Sequence, residues 1–184
     1  GRLLALAGGQ SRQAFVFDIE NAQLFNEGLA HPSAVNSVQF SNDGQELLTA
    51  CRDGIVRVID WQTGKNRLKI VANSGGIVDA SFSPNMKFIA TLGVAHRIEI
   101  WHAENGELAL KPFRAPVGAT HLKFSPCSKY LFATGGQIRV IDLGEMMYEP
   151  DLTIKRARKL SEVLANKRIV DGNAESLSSD EWMN

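Results

Sequence analysis

The chain has 184 residues, of which 44% are hydrophobic, and its 20 basic and 20 acidic residues leave a formal net charge of zero. This length supports one globular body with a tail, and the balanced charge provides no overall field that would attract nucleic acid or an anionic membrane. No apolar run approaches the roughly 20 residues of a membrane-spanning helix.

A repeat of about 42 residues organises residues 1–150. The Phe-Ser pair occurs at 40–41, 82–83 and 124–125, and an apolar residue followed by Asp or His occurs at 17–18, 59–60, 101–102 and 141–142. A fixed period of about 20–50 residues is typical of repeat folds. The repeat predicts units at approximately 1–30, 31–73, 74–115 and 116–150, followed by a tail over 151–184.

The first two units contain short apolar runs rich in Val, Ile, Leu and Phe, which favour strands over helices. The first unit lacks an opening strand and contains predicted strands at 3–7, 14–19 and 23–29. The second contains four, at 34–40, 46–50, 55–60 and 67–71. Its turns are indicated by Asn42-Asp43-Gly44 and Asp53-Gly54, because Gly accepts a positive φ and Asp bonds nearby backbone.

The third and fourth units repeat this pattern. The third contains predicted strands at 76–82, 87–92, 96–102 and 107–113. The fourth contains predicted strands at 119–124, 130–134, 137–142 and 146–148. Each complete unit is therefore expected to form one four-stranded antiparallel sheet.

Four-stranded units of this period are typical of β-propeller blades. His31, Phe40-Ser41, Asp43-Gly44, Asp53 and Ile59-Asp60 resemble the consensus of the WD-repeat family, and Trp101 supplies its Trp in the third unit. The expected fold is all-β, with about three and a half four-stranded antiparallel WD-type blades and a short C-terminal helical extension, as part of a larger ring.

In the WD-repeat family, a His, a Ser or Thr, a turn Asp and a strand Trp form a hydrogen-bonded set within a blade. The resemblance places Cys51 at the Ser position and Ile59 at the Trp position of the second unit. Asn73 and Ala95 replace His and Asp in the third, so no unit carries the full set. Structural roles are expected for His31, Asp53, Asp60, Trp101, Asp142 and the tail residue Trp182.

Closure of the ring is left open by the sequence. Propellers typically need about four to eight blades, and an incomplete ring would expose apolar blade faces. The start at Gly1 without Met and the lack of an opening strand favour a C-terminal part of a longer propeller. Two copies completing one ring and an unusually small ring are the alternatives.

The tail changes from a two-residue to a helical period after Pro150. Ala157, Leu160, Val163 and Leu164 form one apolar stripe, Gly172 is a stop signal, and the helix is expected to pack on the propeller together with Trp182. The basic residues between 155 and 168 are interpreted as a solvated helix face rather than a nucleic-acid or lipid site. The tail also resembles the extension that closes bacterial WD-repeat chains fused to kinase or signalling NTPase modules.

No catalytic, cofactor-binding or metal-binding motif is found. Phosphate-loop, dinucleotide and nucleophile-elbow patterns are missing, and the four histidines fall in different units without metal-ligand spacing. Cys51 and Cys127 lack metal or redox spacing, which favours a reducing compartment and predicts a cytoplasmic location. We therefore expect that the chain is not an enzyme and that it binds no cofactor.

The resemblance implies that partners bind the face that carries the loops between second and third strands. The residues expected there are Arg12, His31, Arg52, His96 and Gln137. The predicted function is a non-catalytic protein-interaction scaffold or sensor, the C-terminal propeller part of a larger bacterial signalling protein, with a protein partner or upstream domains bound and no nucleic acid or membrane. The alternatives are a ligand-binding or enzymatic propeller that uses the central channel and a half-ring completed by oligomerisation.

Overall fold

The computed structural model describes residues 2–25, 27–72 and 75–144 in full, and the backbone of Lys167–Val170 and Asn173–Ser176. The chain divides into two compact units, Gly1–Leu143 and Gly144–Asn184. Within the described residues, the first unit consists of four antiparallel sheets that follow one another along the chain.

The first sheet contains β1 (Leu3–Ala7), β2 (Gln13–Asp18), β3 (Gln23–Leu24) and β4 (Leu29–Ala30). β1 pairs with one edge of β2, and the two short strands pair with opposite ends of its other edge. The predicted continuous strand over 23–29 is therefore wrong. Gly28 has φ +102°, a conformation outside the extended region of an ordinary strand, and the strand is interrupted there.

The second sheet contains β5 (Val35–Phe40), β6 (Glu46–Cys51), β7 (Ile55–Asp60) and β8 (Asn66–Val71), hydrogen-bonded in chain order. Gly54, in the turn between β6 and β7, has φ +83°, and a Cβ at this position would lie 3.0 Å from the carbonyl oxygen of Gly75. Both the conformation and the space therefore require glycine, as the Asp-Gly turn signal indicates.

The third sheet contains β9 (Ile77–Phe82), β10 (Phe88–Gly93), β11 (Arg97–His102) and β12 (Phe113–Arg114), again in chain order. The last strand is shorter than the predicted 107–113. A single bridge joins Leu108 to Trp101, and regular pairing resumes only at Phe113. Pro112 has no N–H to donate to a ladder, which explains the interruption immediately before β12.

The fourth sheet contains β13 (Ala119–Phe124), β14 (Tyr130–Gly135) and β15 (Arg139–Asp142). The predicted last strand over 146–148 lies outside the described residues. Across all four sheets, the prediction of an all-β fold made of antiparallel propeller-type blades is confirmed.

The hydrophobic core lies between neighbouring sheets. One cluster joins the first and second sheets through Val16, Leu47 and Trp61, and a second joins the second and third sheets through residues such as Val58 and Ile77. A third cluster packs the third sheet against the fourth. Burial of both faces of the interior sheets explains their nearly continuous apolar runs.

Hydrogen bonds also connect the first strands of consecutive sheets. The Asn36 side chain donates to the Ile77 carbonyl at 2.6 Å, and the Phe82 N–H donates to Gln39 Oε1 at 2.9 Å. The Leu122 N–H donates to Asp79 Oδ2 at 2.7 Å. Polar side chains therefore tie β5 to β9 and β9 to β13.

The second unit contains an antiparallel hairpin of β16 (Lys167–Val170) and β17 (Asn173–Ser176) in its described backbone. The predicted helix, with its stop at Gly172, is wrong over Lys167–Val170, where the β-branched Ile169 and Val170 favour a strand. The rest of that helix and Trp182 lie outside the described residues.

Candidate functional site

The turn face is the end of the first unit that carries the turns at 8–12, 52–54, 94–96 and 136–138, each between the second and third strands of a blade. Backbone hydrogen bonds attach these turns to the loops that lead from one sheet to the next. The His31 N–H donates to the Arg12 carbonyl at 2.8 Å, and the Arg52 N–H donates to the Ala34 carbonyl at 2.8 Å. The other two turns are held by the bonds Val94 N–H to Gly76 O (2.9 Å) and Gly136 N–H to Gly118 O (2.8 Å).

Four of the predicted partner-binding residues are exposed at the turn face. Arg12, Arg52, His96 and Gln137 each come from a different turn. Arg12 and His96 have φ values of +59° and +55°, a left-handed conformation that is uncommon for residues other than glycine. The same conformation occurs at Met86 and Ser128, in turns at the other end of the blades, so it belongs to the turn geometry and does not single out this face.

His31 is a correction to the predicted partner-binding set. Its exposed fraction is 6%, because the ring lies between the first and second sheets rather than on the surface. Nδ1 lies 2.8 Å from the Leu29 carbonyl and Nε2 lies 2.9 Å from Thr49 Oγ1. Since a carbonyl can only accept, Nδ1 carries the proton and Nε2 accepts from the Thr49 hydroxyl. Burial lowers the pKa of His31 and favours this neutral ring.

Thr49, rather than Cys51, supplies the hydroxyl of the second blade. Cys51 is buried and its thiol donates instead to the Ser33 carbonyl at 3.4 Å. In the third blade, the Trp101 indole N–H donates to Thr91 Oγ1 at 3.1 Å. Thr49 and Thr91 are 42 residues apart, which is one repeat. This interval could have identified Thr49 as the hydroxyl residue, whereas the family resemblance placed Cys51 at that position. The second blade therefore contains the His–Thr bond of the family's hydrogen-bonded set, and the third blade contains the Thr–Trp bond.

Asp53 fixes the turn between β6 and β7. Its Oδ1 accepts from the Ile55 N–H at 2.9 Å, and its Oδ2 pairs with Arg57 Nη2 at 2.6 Å. Burial alone would raise the pKa of Asp53, but the hydrogen bonds from Arg57 and Ile55 outweigh it and lower the pKa. Asp53 therefore positions Arg52 on the turn face and is already neutralised by Arg57.

Asp60 and Asp142 lie at the opposite end of the unit. Asp60 Oδ1 accepts from the backbone N–H groups of Gln62 and Thr63, both at 3.0 Å, so it closes the turn between β7 and β8. Asp142 ends β15 opposite Tyr130. These carboxylates belong to separate blades and do not form an acid–base pair.

An open groove of about 790 Å³ lies at this opposite end, between the first and second sheets. Its apolar lining includes Phe25, Phe40 and Trp61, with Phe25 and Trp61 packed edge to face at a centroid distance of 4.7 Å. The Trp61 indole N–H donates to the Gly44 carbonyl at 2.9 Å. Trp61 immediately follows the Ile-Asp marker, and its role in joining two blades was missed from the sequence.

The described ranges contain neither a metal-ligand cluster nor a helix suited to a membrane. In 2–25, 27–72 and 75–144, no three His, Cys, Asp or Glu side chains are grouped so that they could hold a metal ion. Among the same residues, no helix has the length and apolar character needed to cross a membrane.

Comparison with known proteins identifies the repeat. The family profile described as "WD domain, G-beta repeat" matches residues 24–60, which run from the end of the first sheet through β7 and include His31, Thr49 and Asp53. This match places a WD repeat at these residues. The fold predicted from the 42-residue repeat and the resemblance to the WD-repeat family are both confirmed.

The chain is similar to subunits and larger proteins from eukaryotes. It is 29% identical over 131 residues to eukaryotic translation initiation factor 3 subunit I of Emericella nidulans, covering 67% of this chain and 38% of that protein. It is 34% identical over 95 residues to polyadenylation factor subunit 2 of Candida albicans, covering 50% of this chain and 17% of that protein. Over 49 residues it is 35% identical to mouse apoptotic protease-activating factor 1, covering 27% of this chain and 4% of that protein. The chain thus spans 38% or less of the length of these relatives.

Proposed function

We propose that this WD-repeat chain is a non-catalytic protein-interaction module that binds its partner through the turn face. The observation that carries the proposal is the convergence of Arg12, Arg52, His96 and Gln137, one from each blade, on one exposed face. Exposed residues in loops on a rigid scaffold are typical binding residues, and Arg is enriched among residues that contribute most to binding.

The relatives support a role in protein assembly. Two of the three are named as subunits, of a translation initiation factor and of a polyadenylation factor. WD-repeat proteins in general act as protein-interaction scaffolds. The proposal for this chain adds the position of the interface and the residues that form it.

The experiment is affinity capture from an extract of the native cells, with quantitative mass spectrometry. Three forms are compared: the wild type, Arg12→Glu with Arg52→Glu, and the control Lys87→Glu with Lys129→Glu. The two lysines are exposed at the opposite end of the blades. The control therefore makes the same change in charge as the arginine variant, but away from the turn face. We expect the arginine variant to lose the partner while it keeps the wild-type circular dichroism spectrum. Equal capture by all three forms would show that the turn face is not the interface.

The blade faces at the two ends of the described unit suggest how the ring is completed. Leu4 and Leu6 on β1 are 45% and 43% exposed, and Val140 on β15 is 55% exposed. We propose that further blades of the same polypeptide cover these faces. In that case light scattering of this chain gives its monomer mass of 20.2 kDa, whereas a particle of about twice that mass would indicate that a second copy completes the ring.

The cellular context is a separate part of the proposal. The tail resemblance to bacterial WD-repeat chains supports a bacterial signalling protein in which this propeller is the regulatory, C-terminal part. Free Cys51 and Cys127 are compatible with a reducing cytoplasm. The reading frame upstream of Gly1 tests this context, since a kinase or signalling NTPase module is expected there, and a frame without one would contradict it.

A further inference from the structure

Exposed arginines gather at the turn face. They are Arg12, Arg52, Arg97, Arg114 and Arg139, each in or beside a turn or at the turn-face end of a strand. Within the part of the chain that the structure describes, none of these five forms an ion pair. At the opposite end, by contrast, Arg2 pairs with Asp18 and Glu20, and Arg67 pairs with Glu46.

Most exposed acidic residues of the first unit lie at the end away from the turn face. The end away from the turn face carries Asp18, Glu20, Asp43, Glu46, Asp60, Glu104, Glu107 and Asp142. At the turn face, the Asp53 carboxylate is already paired with Arg57, and Glu27 lies at the edge, where its carbonyl accepts from the Gln13 side chain. The same end also carries five basic residues, Arg2, Lys65, Arg67, Lys87 and Lys129, so its eight acidic residues are only partly balanced. The net charge of zero therefore conceals a basic turn face and an opposite end on which acidic residues outnumber basic ones.

Two of the arginines are held directly opposite each other. Arg97 on β11 and Arg114 on β12 are partners in the antiparallel ladder, and the adjacent Ala115 N–H donates to the His96 carbonyl at 2.9 Å. Like charges directly opposite on neighbouring strands destabilise a sheet. An anionic group bound between the two guanidinium groups would relieve this repulsion with charge-assisted hydrogen bonds.

The side chains around the arginines favour a peptide over a nucleic acid. Val94, Val117 and Ile138 are 53%, 79% and 75% exposed at the same face. The four turns contain no Phe, Tyr or Trp, whereas proteins that bind single-stranded nucleic acid stack its bases on such side chains. Aliphatic side chains between arginines match a peptide in which carboxylates alternate with apolar residues.

We propose that the turn face recognises an acidic peptide segment of its protein partner, with Arg97 and Arg114 as the central carboxylate-binding pair. This inference rests on the proposed function, because it names the chemistry of the partner at the same face. Guanidinium groups bind carboxylates through paired, planar hydrogen bonds. The isolated Arg52 and Arg139 then hold neighbouring acidic residues of the same segment.

Fluorescence anisotropy with labelled probes tests the proposal. A glutamate–leucine decamer, a lysine–leucine decamer and a uridine decamer are titrated with the full chain at two salt concentrations. We expect binding of the glutamate probe that weakens with salt, no binding of the lysine probe, and at least about tenfold weaker binding of the uridine probe. Arg97→Glu with Arg114→Glu should weaken binding of the glutamate probe at least about tenfold, whereas Lys87→Glu with Lys129→Glu should change it less than about twofold.

Each contrary result has a defined meaning. Uridine binding as tight as glutamate binding would overturn the inference in favour of a nucleic-acid site, and equal losses in both double variants would show a general charge effect without a site. If affinity capture depends on Arg12 and Arg52 but no glutamate probe binds, the proposed function stands and the acidic-peptide inference fails. If the glutamate probe binds as expected but capture is unchanged, the proposed function fails instead.

Discussion

At the scale of single residues, the buried His31–Thr49 hydrogen bond contributes to stability rather than to recognition. Thr49→Val keeps the size of the side chain but leaves the buried Nε2 of His31 without its hydroxyl donor. Loss of a buried partner costs about 1–3 kcal/mol. We expect urea denaturation to show this loss, while the exposed control Thr120→Val stays within about 0.5 kcal/mol of the wild type.

The lowered pKa of His31 gives the stability a pH dependence. Because burial lowers the pKa in the folded state, the unfolded chain binds more protons as pH falls through the ordinary histidine pKa of about 6.5. Stability is therefore fully present above that pKa and is lost below it, at no more than about 1.4 kcal/mol per pH unit. Urea midpoints measured between neutral and mildly acidic pH should fall more steeply in the wild type than in His31→Gln, and parallel curves would contradict this origin.

The sequence predicted which side chains are exposed where the repeat set the position, and it failed where burial decided the position; partner binding by these residues stays a prediction. Arg12, Arg52, His96 and Gln137 lie in turns, and their side chains are exposed there. His31 precedes a strand in the same way, but its ring turns inward because Thr49 offers a buried hydroxyl from the neighbouring strand. Pairing across strands depends on register, which the linear pattern does not contain.

At the scale of elements, bonds between neighbouring blades supplement the apolar packing. Asp79 is 8% exposed and its Oδ2 accepts the Leu122 N–H from the next sheet. Asp79→Ala leaves that N–H buried without its acceptor, at a cost of about 1–3 kcal/mol. Hydrogen exchange should become faster at Leu122 and its neighbours in β13, whereas unchanged exchange there would show that the bond does not hold the two blades together.

The strands themselves were largely predictable, and the exceptions have local causes. Runs such as 55–60 recur at a fixed period and lie between turn signals, Asp53-Gly54 before the strand and Thr63-Gly64 after it, so both their type and their limits could be predicted. The outer strands of the first and third blades are short because Gly28 and Pro112 interrupt them. In the tail, a helical spacing of apolar residues between 157 and 164 predicted a helix with its stop at Gly172, but the β-branched pair Ile169-Val170 lies in a hairpin with β17.

At the scale of the whole molecule, the distribution of charge matters more than its sum. The composition predicts no overall electrostatic field, because the numbers of basic and acidic residues are equal. The fold then separates them in part, because five exposed arginines lie in or beside the turns between second and third strands, while acidic residues outnumber basic ones at the other end. Affinity for an acidic partner should therefore fall steeply with salt although the chain is neutral overall.

Hydrogen exchange on the complex tests most directly whether the turn face is the interface. The partner obtained by affinity capture is purified, and exchange of this chain is measured by mass spectrometry with and without it. Protection is expected in peptides that cover the turns at 8–12, 52–54, 94–96 and 136–138, with little change around the opposite turns at 41–45 and 83–86. Protection confined to those opposite turns or to the groove beside Trp61 would contradict the assignment of the turn face as the partner-binding surface.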